Sequence, residues 1–153
     1  MKKIYILLLL CVFILTGCEN KEEKVKSEYI AMKNNTLTQA SYEEDLPVEI
    51  ITTIKRIDEE TVSYKVIINN PSINMHNIKV LLAHNYYTED VFPSIGIFDD
   101  VKELLVDSEE SSELVLEGVI ETTEDIRKLE LELKVSIEYI NDDGEKKDVY
   151  YKA

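Results

Sequence analysis

Six apolar residues spaced two apart, Leu129, Leu131, Leu133, Val135, Ile137 and Tyr139, constrain this chain more than any other feature. The residues between them, Glu130, Glu132, Lys134, Ser136 and Glu138, are all polar. A two-residue period with one apolar face is the pattern of a half-buried antiparallel strand. Leu and Glu favour helix by propensity. A helix, however, would scatter the six apolar side chains around its circumference, so the period predicts a strand over 129–139.

Shorter runs repeat the pattern. Val62, Tyr64, Val66 and Ile68 alternate with Ser63 and Lys65, and Ile78, Val80 and Leu82 with Lys79, Leu81 and Ala83. Leu114 and Leu116 alternate with Val115 and Glu117. The breaks between runs read as turns. Asp58-Glu59-Glu60 separates two β-rich stretches. Asn69-Asn70-Pro71-Ser72 ends a strand, because Pro71 has no N–H for a ladder and restrains Asn70. Asn141-Asp142-Asp143-Gly144 has the residues of a hairpin turn. Thr122 to Ile126 has room for one helical turn behind a threonine cap. About seven strands over residues 46–153 predict an all-β fold, an antiparallel β-sandwich.

Residues 19–45 have no such period. They are rich in Lys, Glu, Asn, Thr, Gln and Ser, a composition that buries too little apolar surface to offset its ordering entropy. The expectation is a flexible tether over 18–45, with a short helix around 27–33 as the one local element. Ahead of it, Lys2 and Lys3 precede twelve uncharged apolar residues, Ile4 to Leu15. That stretch is too short to span a bilayer as a helix and has the layout of an export signal over 1–17.

The signal ends in Leu15-Thr16-Gly17-Cys18. This motif resembles the lipobox of bacterial lipoprotein precursors. The resemblance implies a diacylglyceryl group on the Cys18 thiol, cleavage before Cys18, and a protein anchored in the membrane on its extracytoplasmic face. Two acyl chains hold a protein stably where one is marginal. The strand-Asn-Pro-Ser-loop-strand layout near residue 70 resembles the B-to-C passage of immunoglobulin-like or fibronectin-type domains, although the chain has no Trp and no cysteine pair in its domain. The two cysteines are Cys11, in the leader, and Cys18. A lipidated mature chain would therefore have no free thiol, no disulfide, no thiolate metal site and no cysteine nucleophile.

Charge narrows the function classes. The chain has 17 basic and 31 acidic residues, and loss of Lys2 and Lys3 with the leader takes the balance from −14 to near −16. Nucleic-acid binding needs clustered Lys and Arg and is not expected. The same balance predicts repulsion from anionic lipid or wall polymer. Residues 99–125 hold eleven acids and a single base, Lys102. Such a window is either a solvated face or a docking surface for a cation or a basic partner. Asp99, Asp100, Asp107, Glu109, Glu110 and Glu113 form the candidate partner or cation surface.

Other chemistry is sparse. His76 and His84 share parity on one predicted strand but would lie roughly 26 Å apart, too far to share a metal. Asn141 to Glu145 has oxygen ligands around a glycine but lacks the spacing of an EF-hand loop, and turns favour the same residues. Pro93-Ser94-Ile95-Gly96 lacks the flanking glycines of a nucleophile elbow, and four glycines in all leave no phosphate-cradling loop. Neither an enzyme nor a cofactor is expected. Tyr86-Tyr87, Tyr150-Tyr151 and the apolar stretch Val91 to Phe98 are candidate partner contacts, of residue types favoured at interfaces. The expectation is a lipid-anchored extracytoplasmic binding module of the cell envelope whose partner is an envelope or secreted protein. A divalent-cation or small-ligand binding lipoprotein accessory to a transporter is the alternative, and an envelope hydrolase the second.

Overall fold

The computed structural model describes residues 21–86, 91–108 and 113–153. The leader, the Leu15-Thr16-Gly17-Cys18 motif, Tyr87, Glu109 and Glu110 lie outside the described residues. Among the described residues one helix, α1 (Lys21–Thr38), precedes eight strands: β1 (Glu49–Arg56), β2 (Thr61–Asn69), β3 (Met75–His84), β4 (Ser94–Ile95), β5 (Lys102–Leu104), β6 (Glu113–Glu121), β7 (Leu133–Ile140) and β8 (Lys146–Lys152). All pairings are antiparallel. The strands form two sheets, in the orders β1-β2-β6 and β4-β3-β7-β8, with β5 also paired to β3. The fold is all-β, as expected, but has eight strands among the described residues rather than seven. The short β4 and β5, of two and three residues, are too brief to carry a period.

The alternating residues make the core. Val62, Tyr64, Val66 and Ile68 of β2, Leu114, Leu116 and Ile120 of β6, Ile78, Val80 and Leu82 of β3, and Leu133, Val135, Ile137 and Tyr139 of β7 form one buried cluster between the sheets. Tyr151 packs against that cluster and Tyr150 points the other way, as strand parity requires. The breaks also fall where composition put them. β2 stops at Asn69, before Asn70 at φ 47°. The 141–144 turn closes the β7–β8 hairpin, with Asn141 Oδ1 accepting from the Asp143 and Glu145 N–H groups at 3.1 and 2.8 Å. Residues 122–128 form turns rather than a helical turn, with the Thr122 hydroxyl accepting from the Glu124 N–H at 3.2 Å.

Two strand expectations need correction. β7 begins at Leu133, not Leu129. Its partner β3 ends at His84, and the next residue substitutes a side chain for a strand. Asn85 Nδ2 donates to the Glu130 carbonyl at 2.7 Å, and its Oδ1 accepts from the Glu132 N–H at 2.9 Å. Leu129 and Leu131 therefore keep their inward parity and pack on the core outside the ladder. The second correction concerns His76. Three β3 steps, His76 to Lys79, oppose two β7 steps, Ile140 to Glu138. This β-bulge contains Asn77 at φ 50°. It turns Met75 inward, fully buried, and takes His76 off the parity of Ile78.

The largest departure lies in the segment expected to be a tether: the short helix expected around 27–33 extends over Lys21–Thr38, 18 residues, and packs on the second sheet. Val25, Tyr29, Met32 and Thr36 are spaced four, three and four apart, one residue per turn on a single face. Tyr29 and Met32 are buried against Leu81 and Ala83 of β3, together with Phe92 and Ile97. Thr36 Oγ1 hydrogen-bonds Ser136 Oγ of β7 at 2.8 Å, and Lys134 Nζ donates to the Leu37 carbonyl at 3.0 Å. That ammonium meets the negative end of the helix dipole. Lys79 of β3 pairs with Glu28. Further along, the Glu43 N–H donates to the Tyr150 carbonyl at 2.9 Å, so the chain is docked on the sheet before residue 46.

Met32→Ala should destabilise the protein by about 2–5 kcal/mol, as buried Met truncations do. Ile30→Ala, on a half-exposed helix position, should stay within about 0.5 kcal/mol of the parent. Urea denaturation of both variants is the check. Equal midpoints would detach the helix from the sheet.

Candidate interaction surface around the 91–98 loop

The stretch 91–98 is held at both ends. Ser94 and Ile95 pair with Leu81 and Val80, and the Leu82 N–H donates to the Pro93 carbonyl at 3.0 Å. Gly96 follows at φ 73°, and a Cβ there would lie 2.1 Å from the Ile78 carbonyl oxygen. Only glycine satisfies both the left-handed backbone and the close approach. Asp99 Oδ1 accepts from the Gly96 N–H at 2.6 Å and closes the turn.

The helix supplies the other wall. The Phe92 N–H donates to Tyr29 Oη at 2.6 Å. Burial pushes the Tyr29 hydroxyl above its ordinary pKa, and the Phe92 N–H acts in the opposite sense. The Phe92 ring stands edge-on to His84 with centroids 5.0 Å apart, and Lys33 Nζ lies 4.9 Å from its centre. Tyr29 and Phe98 rings meet at 5.0 Å. Phe92 and Ile97 thus point into the cluster under the helix, whereas Val91 and Phe98 are 58% and 56% exposed.

Two grooves flank this loop and share Val91. The first, of about 760 Å³, lies between residues 91–94 and the outer face of the three-stranded sheet. Thr53, Ser63 and the Lys65–Glu117 ion pair, at 2.7 Å, line it, with Ile57 and Val119 among its apolar residues. Tyr64 reaches it beside Gly118, its cross-strand partner. A Cβ at 118 would lie 2.2 Å from the Tyr64 oxygen, so the glycine is there to admit the ring. The second groove, of about 880 Å³, lies between the loop and the first turns of α1. Val25, Tyr29, Ile30, Val91 and Phe98 make its walls, and Lys21, Lys26 and Lys33 its charged rim with Glu22.

The acidic candidates are dispersed. Asp99 serves its turn, Asp100 is exposed, Asp107 sits in a turn at φ 58°, and Glu113 opens β6 opposite Asn69. Among the described residues, no group of three or more His, Cys, Asp or Glu side chains is placed to hold a metal ion. One member of the acidic window has a different partner. Glu103 Oε1 lies 3.0 Å from His76 Nδ1, and Asp142 Oδ1 lies 3.0 Å from His76 Nε2. Asn74 Nδ2 donates to Asp142 Oδ2 at 3.0 Å, and its Oδ1 accepts from the Val106 N–H at 2.9 Å. Together they tie the start of β3, β5 and the 141–144 turn into one polar clasp. Sequence alone hides it, because the bulge that aims His76 and the three-residue β5 leave no periodic trace.

No protein-family model matches the chain, and neither does any curated protein or solved structure.

The clasp has a defined pH dependence. Both ring nitrogens face carboxylates, so both must carry hydrogen, and the bonds to Glu103 and then Asp142 raise the His76 pKa above its ordinary 6.5. The same contact lowers that of Asp142. The stabilisation from His76 is therefore complete below about pH 6.5 and is lost as pH rises through the raised pKa. The Asp142 share is lost instead as pH falls through its depressed pKa. The stability difference between the parent and His76→Gln should shrink as pH rises from about 6 to about 9. A difference that stays constant, or a His76 NMR titration midpoint at or below 6.5, would contradict the clasp.

A tighter test of packing is Gly118→Ala. The added methyl must displace the Tyr64 ring, which should cost about 1–3 kcal/mol. Denaturation by urea measures it, and an unchanged midpoint would mean that the ring does not lie over residue 118.

Proposed function

We propose that the chain is a lipid-anchored binding module of the bacterial cell envelope, working on the extracytoplasmic side by holding an envelope or secreted protein rather than by catalysis. The export-signal layout and the Leu15-Thr16-Gly17-Cys18 motif support the anchor and the compartment. The strand orders β1-β2-β6 and β4-β3-β7-β8 support an immunoglobulin-like domain, since they follow the A-B-E and C′-C-F-G orders of that fold. Such domains use one scaffold for many partners, so function is argued from the surface.

The observation that carries the binding reading is the first groove. It offers apolar side chains in Ile57 and Val119, hydroxyls in Thr53 and Ser63, and both signs of charge in the Lys65–Glu117 pair. That mixture suits a polypeptide segment better than a small uniform ligand. A photo-crosslinking residue at position 63 should trap one extracytoplasmic protein in living cells. Adding Thr53→Arg should reduce the adduct by at least about tenfold, the equivalent of one misplaced contact. Absence of any adduct, or the same adduct in the presence of Thr53→Arg, would remove this groove as the binding site. The anchor has its own test. Cys18→Ala should abolish fatty-acid labelling, and equal labelling of both chains would overturn the lipoprotein reading.

A further inference from the structure

From the second groove we infer that the protein lies against the membrane on its helix face, with the Val25–Tyr29–Ile30–Val91–Phe98 groove seated on anionic lipid. The inference rests on the anchoring reading above. Charge is the first observation. The whole chain is strongly acidic, yet the rim of this groove carries Lys21, Lys26 and Lys33 against a single Glu22. The overall negative balance predicts repulsion from anionic lipid, but at a surface only the nearest charges act strongly. A Debye length near 8 Å screens the acids on distant faces. Lysines beside an anionic leaflet attract it.

Apolar content is the second observation. Val91 and Phe98 are more than half exposed and Ile30 nearly so. All three line the same groove as the lysines. A face that combines apolar side chains with lysines is the arrangement that sits at the headgroup–acyl boundary. Lysine also suits that boundary because its apolar stem can remain low while its ammonium reaches the phosphates.

Chain length is the third. Lys21 and Glu22, the first residues of α1, line the groove. Cys18 is three residues from Lys21, and three trans peptides reach at most about 11 Å. An acylated Cys18 therefore holds the mouth of this groove close to the headgroups. The long tether expected from composition would have lifted the domain clear. The helix removes that slack, because its residues are already fixed to the second sheet.

The chain has no Trp, so Phe98→Trp supplies a single fluorescent reporter that keeps an aromatic ring beside Tyr29. The full chain, processed and acylated in a lipoprotein-producing bacterium, is reconstituted into phosphatidylcholine vesicles with and without phosphatidylglycerol. Fatty-acid labelling of Cys18 is scored on the same material. Expected are a blue-shifted emission and strong quenching by brominated acyl chains when phosphatidylglycerol is present. Replacing the exposed Lys21 and Lys26 together by Gln should reduce the quenching at least about twofold, because the electrostatic attraction is lost. A Val91→Trp reporter should behave in the same way, and an Ile57→Trp reporter in the other groove should stay unquenched. Labelled protein whose reporters at 98 and 91 stay unquenched overturns the docking and leaves the anchor standing. Unlabelled protein overturns the anchor and this inference with it. A blue shift at 98 that follows addition of lipid-free envelope proteins, but not of phosphatidylglycerol, assigns the groove to a protein and overturns the lipid.

Discussion

Burial of β3 on both faces is the constraint on which the rest of the structure depends. Ile78, Val80 and Leu82 fill the space between the sheets, and Leu81 and Ala83 must be covered from the other side. A two-sheet fold alone covers one face of each sheet. The helix and the 91–98 loop supply the missing layer. Each meets the other over β3, through the Tyr29–Phe92 hydrogen bond and the Tyr29–Phe98 ring contact. The two grooves flank the loop of that extra layer, one towards the three-stranded sheet and one towards the first turns of the helix.

Much of this was legible in the alternation, and its failures have physical causes. The strands of the inner core follow from Val62–Ile68, Ile78–Leu82, Leu114–Leu116 and Leu133–Tyr139, because a half-buried strand must alternate. The short helix expected around 27–33 lies inside α1, but the full length and docking of α1 are not legible because its buried stripe is one residue wide. Most of the positions around Val25, Tyr29, Met32 and Thr36 carry Lys, Glu or Asn, and the remaining apolar residues, Ile30, Ala31 and Leu37, fall off that stripe, so composition reads as solvent. The signal that pointed to it lay elsewhere, in β3. Leu81 and Ala83 occupy positions that should be polar if that face met water. An apolar residue on the wrong parity predicts a covering element, and the four-three-four spacing of Val25, Tyr29, Met32 and Thr36 fits one. The apolar content of the 91–98 stretch makes it a candidate partner patch. Its division into buried Phe92 and Ile97 and exposed Val91 and Phe98 depends on Gly96, whose turn no period announces.

The acidic residues of the 99–125 window are of two kinds. Within 99–125 most acids were a candidate surface on charge alone, and their described members are dispersed over turns and a strand end. Glu103 is different, because the chain fold brings a histidine to it. A run of like charges states only that a region repels itself. Which member acquires a role is decided by what the fold brings opposite it, and that is a long-range property. The clasp uses 27 and 66 residues of sequence separation to join its carboxylates to His76.

Placement of the loop finally bears on how a surface like this can bind. Val91 and Phe98 are exposed although water disfavours them, and a flexible loop would fold them inward. They stay out because their neighbours are fixed. Gly96 is pressed against the Ile78 carbonyl, the Phe92 N–H is held by Tyr29, and Pro93 is tied to Leu82. On the binding reading proposed above, side chains held in place before contact would lose little entropy on it. The cost of the exposed apolar surface is met during folding, by Phe92 and Ile97 packing beneath it. One short loop, held by a glycine, a tyrosine hydroxyl and the apolar outer face of β3, therefore shapes both grooves.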